Sequence, residues 1–243
     1  TTRARVYHLK AYEIAEASRT AKGTASINLL QLEKDEKITA VIQVKGFNPD
    51  AYLFMATKKG IVKKTSLVEF KNLHKGGLNA INLDDDDELI GVKFTDGERD
   101  MILGTKWGMA IVFGEDDVRS MGRAARGVKG ISLNDGDEVI GMDTLSPNAE
   151  VLTVTAEGYG KRTETSEYRA QNRGGEGRIN LQGTGETGDG LGRRVMLITT
   201  EGIVIRTNIS DISVISRNTQ GVKLMSTSEN DIVASMAVMD QKN

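Results

Sequence analysis

Met101-Ile102-Leu103-Gly104-Thr105-Lys106-Trp107-Gly108-Met109-Ala110-Ile111-Val112-Phe113 is an apolar run, a polar turn closing on glycine, and a second apolar run. It reads as two short strands joined by a tight hairpin. The same pattern stands at Leu53 to Thr65 (LFMATKKGIVKKT), Val151 to Thr163 (VLTVTAEGYGKRT) and Val195 to Thr207 (VMLITTEGIVIRT). Thr1 to Leu9 (TTRARVYHL) is a fifth copy without its leading strand. The turn glycines are Gly60, Gly108, Gly158 and Gly202, with Ala4 in the corresponding place.

Working outward, each hairpin is followed by a basic, small-residue loop that ends in Gly23, Gly77, Gly127, Gly175 or Gly221, which is 19, 17, 19, 17 or 19 residues past the turn. Four positions past the loop glycine stand Ile27, Ile81, Ile131, Ile179 and Met225, and six past it Leu29, Leu83, Leu133, Leu181 and Thr227. That period of two predicts a strand with one buried face. An acidic turn and another apolar stretch come next, as in Glu36-Lys37-Ile38, Glu88-Leu89-Ile90, Glu138-Val139-Ile140 and Asp231-Ile232-Val233. Pro49, Gly97 and Pro147 mark a third turn, where a missing N–H breaks no ladder.

Each unit thus offers four short strands, and no stretch carries a sustained 3.6 period with caps. The expected fold class is all-β, a propeller or pinwheel of four-stranded blades, because repeats of about 40 to 50 residues with four strands each pack radially. The units run approximately 1–47, 48–96, 97–146, 147–191 and 192–243 of a single domain. Ile81, Leu83, Ile131 and Leu133 should lie between sheets. The single tryptophan excludes a Trp-Asp repeat signature.

Composition excludes several function classes. The 243 residues include no cysteine and two histidines, His8 and His74, so thiol catalysis, thiolate metal sites and histidine-rich zinc sites are absent. No apolar run is long enough to span a bilayer as a helix. The chain starts at Thr1 without an initiator Met or a signal peptide, and it reads as a piece of a longer cytosolic protein. Gly183 to Gly188 matches G-x-G-x-x-G, but the glycine-rich Asp189-Gly190-Leu191-Gly192 after it cannot open the helix that motif needs. Asp84 to Glu88 lacks the alternation of a calcium loop and reads as a solvated turn. Thr155, Ser166 and the other serine and threonine hydroxyls form no triad pattern with a histidine base, so nucleophilic catalysis has no candidate.

The formal net charge of −2 hides an alternation. Lys58 to Lys75 holds six lysines against one acid, while Asp84 to Asp100 holds eight acids against Lys93 and Arg99. The cations recur in register. Lys63 and Lys64, Lys161 and Arg162, and Arg206 follow the turn glycine. Arg19 and Lys22, Lys71 and Lys75, Arg119, Arg123, Arg126 and Lys129, Arg173 and Arg178, Arg217 and Lys223 surround the loop glycine. On successive blades these would form a basic stripe suited to a phosphate backbone, bound through counterion release without base reading. The alternative is lysine guarding exposed strand edges on a scaffold that binds proteins through its flat faces. With five tyrosines and five phenylalanines, mostly inside apolar strands, a stacking platform for single strands is disfavoured, so duplex DNA is the better partner.

The chain also resembles a known family, the C-terminal domain of the bacterial DNA gyrase A protein. The match extends across it, through Arg5-Val6-Tyr7, Glu88-Leu89-Ile90-Gly91-Val92, Val118-Arg119-Ser120-Met121-Gly122, Gly158-Tyr159-Gly160-Lys161-Arg162-Thr163 and Arg217-Asn218-Thr219-Gln220-Gly221-Val222. The resemblance implies a β-pinwheel, normally of six blades, whose basic perimeter wraps duplex DNA so that an ATP-hydrolysing type II topoisomerase introduces negative supercoils. It implies a non-catalytic segment without metal or cofactor of its own. ATP, Mg2+ and the cleavage tyrosine belong to the rest of a cytoplasmic, nucleoid-associated enzyme of two A and two B subunits. Tyr7, Tyr12, Tyr52, Tyr159 and Tyr168 carry no cleavage role. The family's Q-R-R-G-G-K-G box lies in a first blade that this chain does not include. Gln171-Asn172-Arg173-Gly174-Gly175-Glu176-Gly177 is a degenerate copy, which transfers a DNA contact to Arg173 but none to Glu176. Five units leave both a closed ring and an open arc as readings, and the corresponding C-terminal domain of topoisomerase IV is the alternative relative.

Overall fold

A computed structural model describes residues 1–18, 21–73, 76–181, 187–190 and 194–239. Among the described residues, seventeen strands follow in chain order. β1 is Arg5–Val6. β2 (Tyr52–Thr57), β3 (Ile61–Ser66), β4 (Leu78–Asn79) and β5 (Leu89–Thr95) make the second unit, and β6 (Asp100–Thr105), β7 (Met109–Gly114), β8 (Val128–Lys129) and β9 (Val139–Leu145) the third. β10 (Glu150–Thr155), β11 (Tyr159–Glu164), β12 (Arg178–Ile179) and β13 (Thr187–Gly190) make the fourth. β14 (Arg194–Thr199), β15 (Val204–Asn208), β16 (Val222–Lys223) and β17 (Val233–Met239) make the fifth. No α-helix occurs among the described residues. No helix there is long and apolar enough to cross a membrane.

The sheets exchange strands. Their orders are β5-β2-β3-β8, β12-β7-β6-β9 and β13-β10-β11-β16, with β1-β4 before them and β15-β14-β17 after. The short strand of each unit therefore completes the outer edge of the preceding blade: β4 pairs with β1, β8 with β3, β12 with β7 and β16 with β11. At the other edge β5, β9, β13 and β17 are successive neighbours. This is a β-propeller of the pinwheel type in five units.

Hydrophobic burial explains the stacking. β6 buries Met101, Ile102, Leu103, Gly104 and Thr105 in succession, because a central strand is covered by a blade on each face. One core lies between the second and third blades, with Phe54 and Val62 against Leu103, Ile111 and Phe113. The rings of Phe54 and Phe113 are tilted at 44° with centroids 6.3 Å apart.

The turn glycine of each hairpin latches the next unit. The Gly60 carbonyl accepts from Gly130 N at 2.8 Å and Ile131 N at 3.3 Å, Gly108 from Asn180 and Leu181 at 2.7 and 3.1 Å, and Gly158 from Leu224 and Met225 at 2.8 and 3.2 Å. This latch corrects two expectations. Ile131 and Leu133 do not continue a strand; only the two residues after the loop glycine do, and the chain then bends inward to bury Ile81 and Ile131. In the fourth unit the loop glycine is Gly177, at φ +76°, and not Gly175. Its latched residue is buried Leu181, whereas Ile179 is 45% exposed on β12.

The acidic turns are more than solvated surface. Asp87 is buried, and its carboxylate accepts from Lys59 N and Glu88 N, both at 2.9 Å. Asp137 accepts from Trp107 N at 3.0 Å, and Asp231 from Glu201 N at 3.0 Å. Each carboxylate caps the hairpin turn of its own unit. Asp87→Ala should lower stability by about 1–2 kcal/mol through two orphaned amides, measured as a shift of the urea midpoint at unchanged slope.

In the first unit, residues 37–45 form no strand. In the other units the equivalent strand pairs with a leading strand, as β5 does with β2 and β9 with β6. The counterpart of β2 is not in this sequence, and Ile38, Val41 and Val44 are exposed accordingly.

Candidate nucleic-acid interface

The perimeter is built by the exchanged segment. After each hairpin a short 3-10 turn closes on a buried side chain, such as Phe70, Val118 or Tyr168. The chain then crosses to the preceding blade. Ser120 bridges Lys64 in parallel, with Met121 N donating to the Lys64 carbonyl at 2.8 Å. Val214 bridges Arg162 likewise. A loop then swings outward, and the chain returns antiparallel as the outermost strand. Every unit that does this repeats the same two exposed edges, one where the crossing starts and one on the returning strand.

Basic residues occupy both edges. The outermost strands carry Lys129 on β8, Arg178 on β12 and Lys223 on β16, all exposed. Lys223 lies 5.2 Å from the centroid of the Tyr159 ring, a cation–π arrangement that holds its stem on the preceding blade. Lys71 and Arg119 start their crossings, one residue past Phe70 and Val118, and both are exposed. The residue in that register past Tyr168 is Arg169, also exposed. Sequence reading by the loop glycines missed it; its signal is the spacing from the buried residue that closes the 3-10 turn.

The loops add Arg126, exposed and ion-paired with Asp84 of the preceding unit. Arg123, Arg173 and Arg217 share one register, four residues before Gly127, Gly177 and Gly221, and are half-buried. Arg173 donates from Nε to the Asp117 carbonyl at 2.9 Å and from Nη1 to the Lys129 carbonyl at 3.1 Å. Arg217 donates from Nη1 to the Ile179 carbonyl at 2.7 Å. Arg173 and Arg217 thus bracket one blade's loop to the outermost strand of the blade before. A guanidinium has five N–H donors, so each keeps donors for a further partner. Lys22 and Arg206 are exposed.

Four predicted positions are corrected. Lys63 and Lys161 are fully buried, and Lys64 nearly so. The Lys64 ammonium donates to the Glu115 carbonyl at 3.0 Å and lies 5.3 Å from the centroid of the Tyr52 ring. Arg162 donates from Nε to the Ile212 carbonyl at 2.8 Å and is ion-paired with Glu150. The cause is strand exchange: β3 and β11 look like outer strands in sequence, but the next unit folds over them. In the last blade no described strand covers β15, and Arg206, which is in register with Lys64 and Arg162, is exposed. Arg19 and Lys75 lie outside the described residues.

Burial, with the Arg123 guanidinium adding to it, pulls the Lys63 ammonium down to about 8. Burial likewise pulls Lys161 down to about 8, with Arg217 acting in the same sense and Glu167 opposing. The exposed edge cations recur from blade to blade along the outer strands and crossings. No cluster of His, Asp or Glu among the described residues is arranged to hold a metal ion.

Comparison with known proteins matches this architecture. The model of the family described as "DNA gyrase C-terminal domain, beta-propeller" matches five times, at residues 1–45, 51–96, 99–146, 149–187 and 193–238. The DNA gyrase A protein of Clostridium acetobutylicum is 48% identical over 99% of this chain and 30% of its own length. That of Haloquadratum walsbyi is 43% identical over 97% of this chain and 29% of its own. The chain thus spans about three tenths of the curated relatives it matches. Among solved structures, the C-terminal domain of DNA topoisomerase IV superposes with a TM-score of 0.88 at 25% identity, covering 97% of this chain and 76% of that one. A gyrase A C-terminal domain superposes with a TM-score of 0.82 at 25% identity, covering 97% and 79%. With five consecutive family matches over nearly all of its length, the chain belongs to the DNA gyrase C-terminal domain family.

Proposed function

We propose that this chain binds duplex DNA along its blade edges and bends it around the perimeter, as the wrapping segment of a gyrase-type topoisomerase. The observation that carries the reading is the recurrence of exposed cations on two edges: Lys71, Arg119 and Arg169 in one register where crossings start, and on the outermost strands Lys129 and Lys223 in a second register, with Arg178 one position before it on β12. A repeating array of this kind neutralises phosphates without reading bases. Many distributed contacts are what bending requires, since curving a 20–30 bp site by 40–90° costs on the order of 1–6 kcal/mol.

In this reading the rest of the gyrase A protein supplies strand cleavage and the gyrase B protein supplies ATP hydrolysis, with Mg2+ used by that machinery; this chain contributes geometry. The curated relatives at 41% to 48% identity are DNA gyrase A proteins and favour gyrase, while the structural matches to gyrase A and to topoisomerase IV, each 25% identical, do not separate the two. The enzyme would act in the cytoplasm, on the nucleoid.

The test is a gel shift with linear duplex DNA as salt rises from 50 to 200 mM. Affinity should fall steeply, by about 0.9 in log affinity per log salt for each phosphate contact. Absence of binding at 50 mM, or binding indifferent to salt, would favour a protein-binding scaffold instead.

A further inference from the structure

We propose that Lys63 and Lys161 are positioning residues for the loops that present DNA-contacting cations, each ammonium sitting inside the following blade's loop and holding it open by its carbonyls. The inference rests on the DNA-binding reading above. The Lys63 ammonium donates to the carbonyls of Ala80 at 2.7 Å, Arg123 at 2.6 Å and Ala125 at 2.9 Å. The Lys161 ammonium donates to the carbonyls of Ser216 at 2.8 Å, Arg217 and Thr219 (3.1 Å), and to Thr219 Oγ1 at 3.2 Å.

The two cases repeat one another. Lys63 and Lys161 each stand three residues past a turn glycine. Arg123 and Arg217 stand four before the loop glycine, and Ala125 and Thr219 two before it. An ammonium has three protons and no acceptor, so it suits a ring of inward carbonyls; a neutral amine has one proton fewer. The blade itself does not need this lysine, because Ile111 and Ile205 occupy the same register. Over Ile111 the loop is held differently: Ser132 donates from N to the Gly175 carbonyl and from Oγ to the Gly174 carbonyl, each at 2.8 Å, and Gly174 N donates to the Gly130 carbonyl at 2.7 Å. That loop carries Glu176 where the Lys63-held loop carries Arg126. At that register the Lys161-held loop carries Gln220, so what the two lysine-held loops share is the set of carbonyls turned to the ammonium, which the Ile111 loop replaces with its bonds to Ser132 and Gly130.

Arg123 and Glu69 are the charged groups felt by Lys63, and Arg217 and Glu167 those felt by Lys161. With both ammonium groups titrating near 8, raising the pH from 7 to 9 removes the third donor from each ring of carbonyls.

Because the chain has no cysteine, a spin label can be placed cleanly at Ala124→Cys, in the loop over Lys63, and at Ala170→Cys, beside the Ile111 blade, as a control; both positions are exposed. In the parent the label at 124 should gain mobility with a midpoint near pH 8, while the label at 170 does not. Lys63→Met should mobilise the label at 124 already at pH 7 and abolish its pH profile. It should also lower the salt slope of duplex binding by about 1 to 2. Lys63→Ile, the residue the fold accepts at 111, serves if the methionine variant folds poorly, and the parent's pH profile needs no lysine change at all. An immobile label at 124 in the variants, or a flat parent profile, overturns the proposal. So does a mobile loop with unchanged DNA affinity. If the parent binds no DNA, the DNA-binding reading fails, and the label still reports on the loop.

Discussion

Charge reversal of Arg123, Arg126 and Lys129 together to glutamate should abolish DNA bending by the third unit and flatten the salt dependence of binding. Each phosphate contact removed takes about 0.9 from the slope of log affinity against log salt, so three take about 2.7. Bending of a ~30 bp duplex, read by end-labelled FRET, should drop toward that of free DNA, since the curvature is maintained only by contacts that outweigh its elastic cost of several kcal/mol. The fold should survive. Arg126 and Lys129 are exposed, and the surface pair between Arg126 and Asp84 contributes about 0–1 kcal/mol. The matched control is Lys34, Lys37 and Lys45 to glutamate, three exposed lysines of the first unit outside the loop register. Both variants change net charge equally. If the control weakens binding as much as the loop triple, the register carries no information and the edge model is wrong.

The local events of this fold are legible in the sequence, and the long-range exchange is not. Hairpins declare themselves through apolar runs flanking Gly60, Gly108, Gly158 and Gly202, because a tight turn needs glycine and a doubly covered strand needs continuous apolar residues. That β8 leaves its own blade to pair with β3 is a matter of topology, which no local pattern encodes. The errors follow from this one fact. Lys63, Lys64, Lys161 and Arg162 look like the polar face of an edge strand, but a neighbour covers that edge: the three lysines are buried, and Arg162 is half-buried and engaged with Ile212 and Glu150. The shift from Gly175 to Gly177 arises in a segment with three glycines in four residues, where spacing alone selects poorly and the left-handed backbone at Gly177 decides. Arg169 escapes a sequence reading for the same reason: its meaning comes from where the crossing begins, which burial of Tyr168 reveals.

Gly158→Ala should lower stability far more than Gly202→Ala, although the two glycines hold the same place in the same hairpin. Their backbones are alike, with φ of +81° and +82°. A left-handed conformation costs a residue with a Cβ about 1–2 kcal/mol, and both variants incur that. The surroundings differ. A Cβ at Gly158 would lie 2.4 Å from the Met225 carbonyl oxygen and 3.0 Å from Met225 Cγ, whereas one at Gly202 meets nothing within 4 Å. Met225 belongs to the fifth unit, latched onto the Gly158 carbonyl, and its backbone cannot move without opening the two hydrogen bonds from Leu224 and Met225. Overpacking of that kind adds about 1–3 kcal/mol, giving about 2–5 kcal/mol for Gly158→Ala against about 1–2 for Gly202→Ala. At roughly 2–4 °C per kcal/mol for a chain of this size, the melting temperatures should separate by several degrees. The chain contains its own precedent. Ala4 occupies this register in the first unit at φ 55°, and there the latch has one hydrogen bond, from Ala80 N at 2.8 Å, where the glycines of the next three units accept two. A side chain at the turn is thus accommodated by a weaker hold on the neighbouring blade. Equal losses for the two alanine variants would mean that the turn's own strain, and not contact between blades, sets the need for glycine.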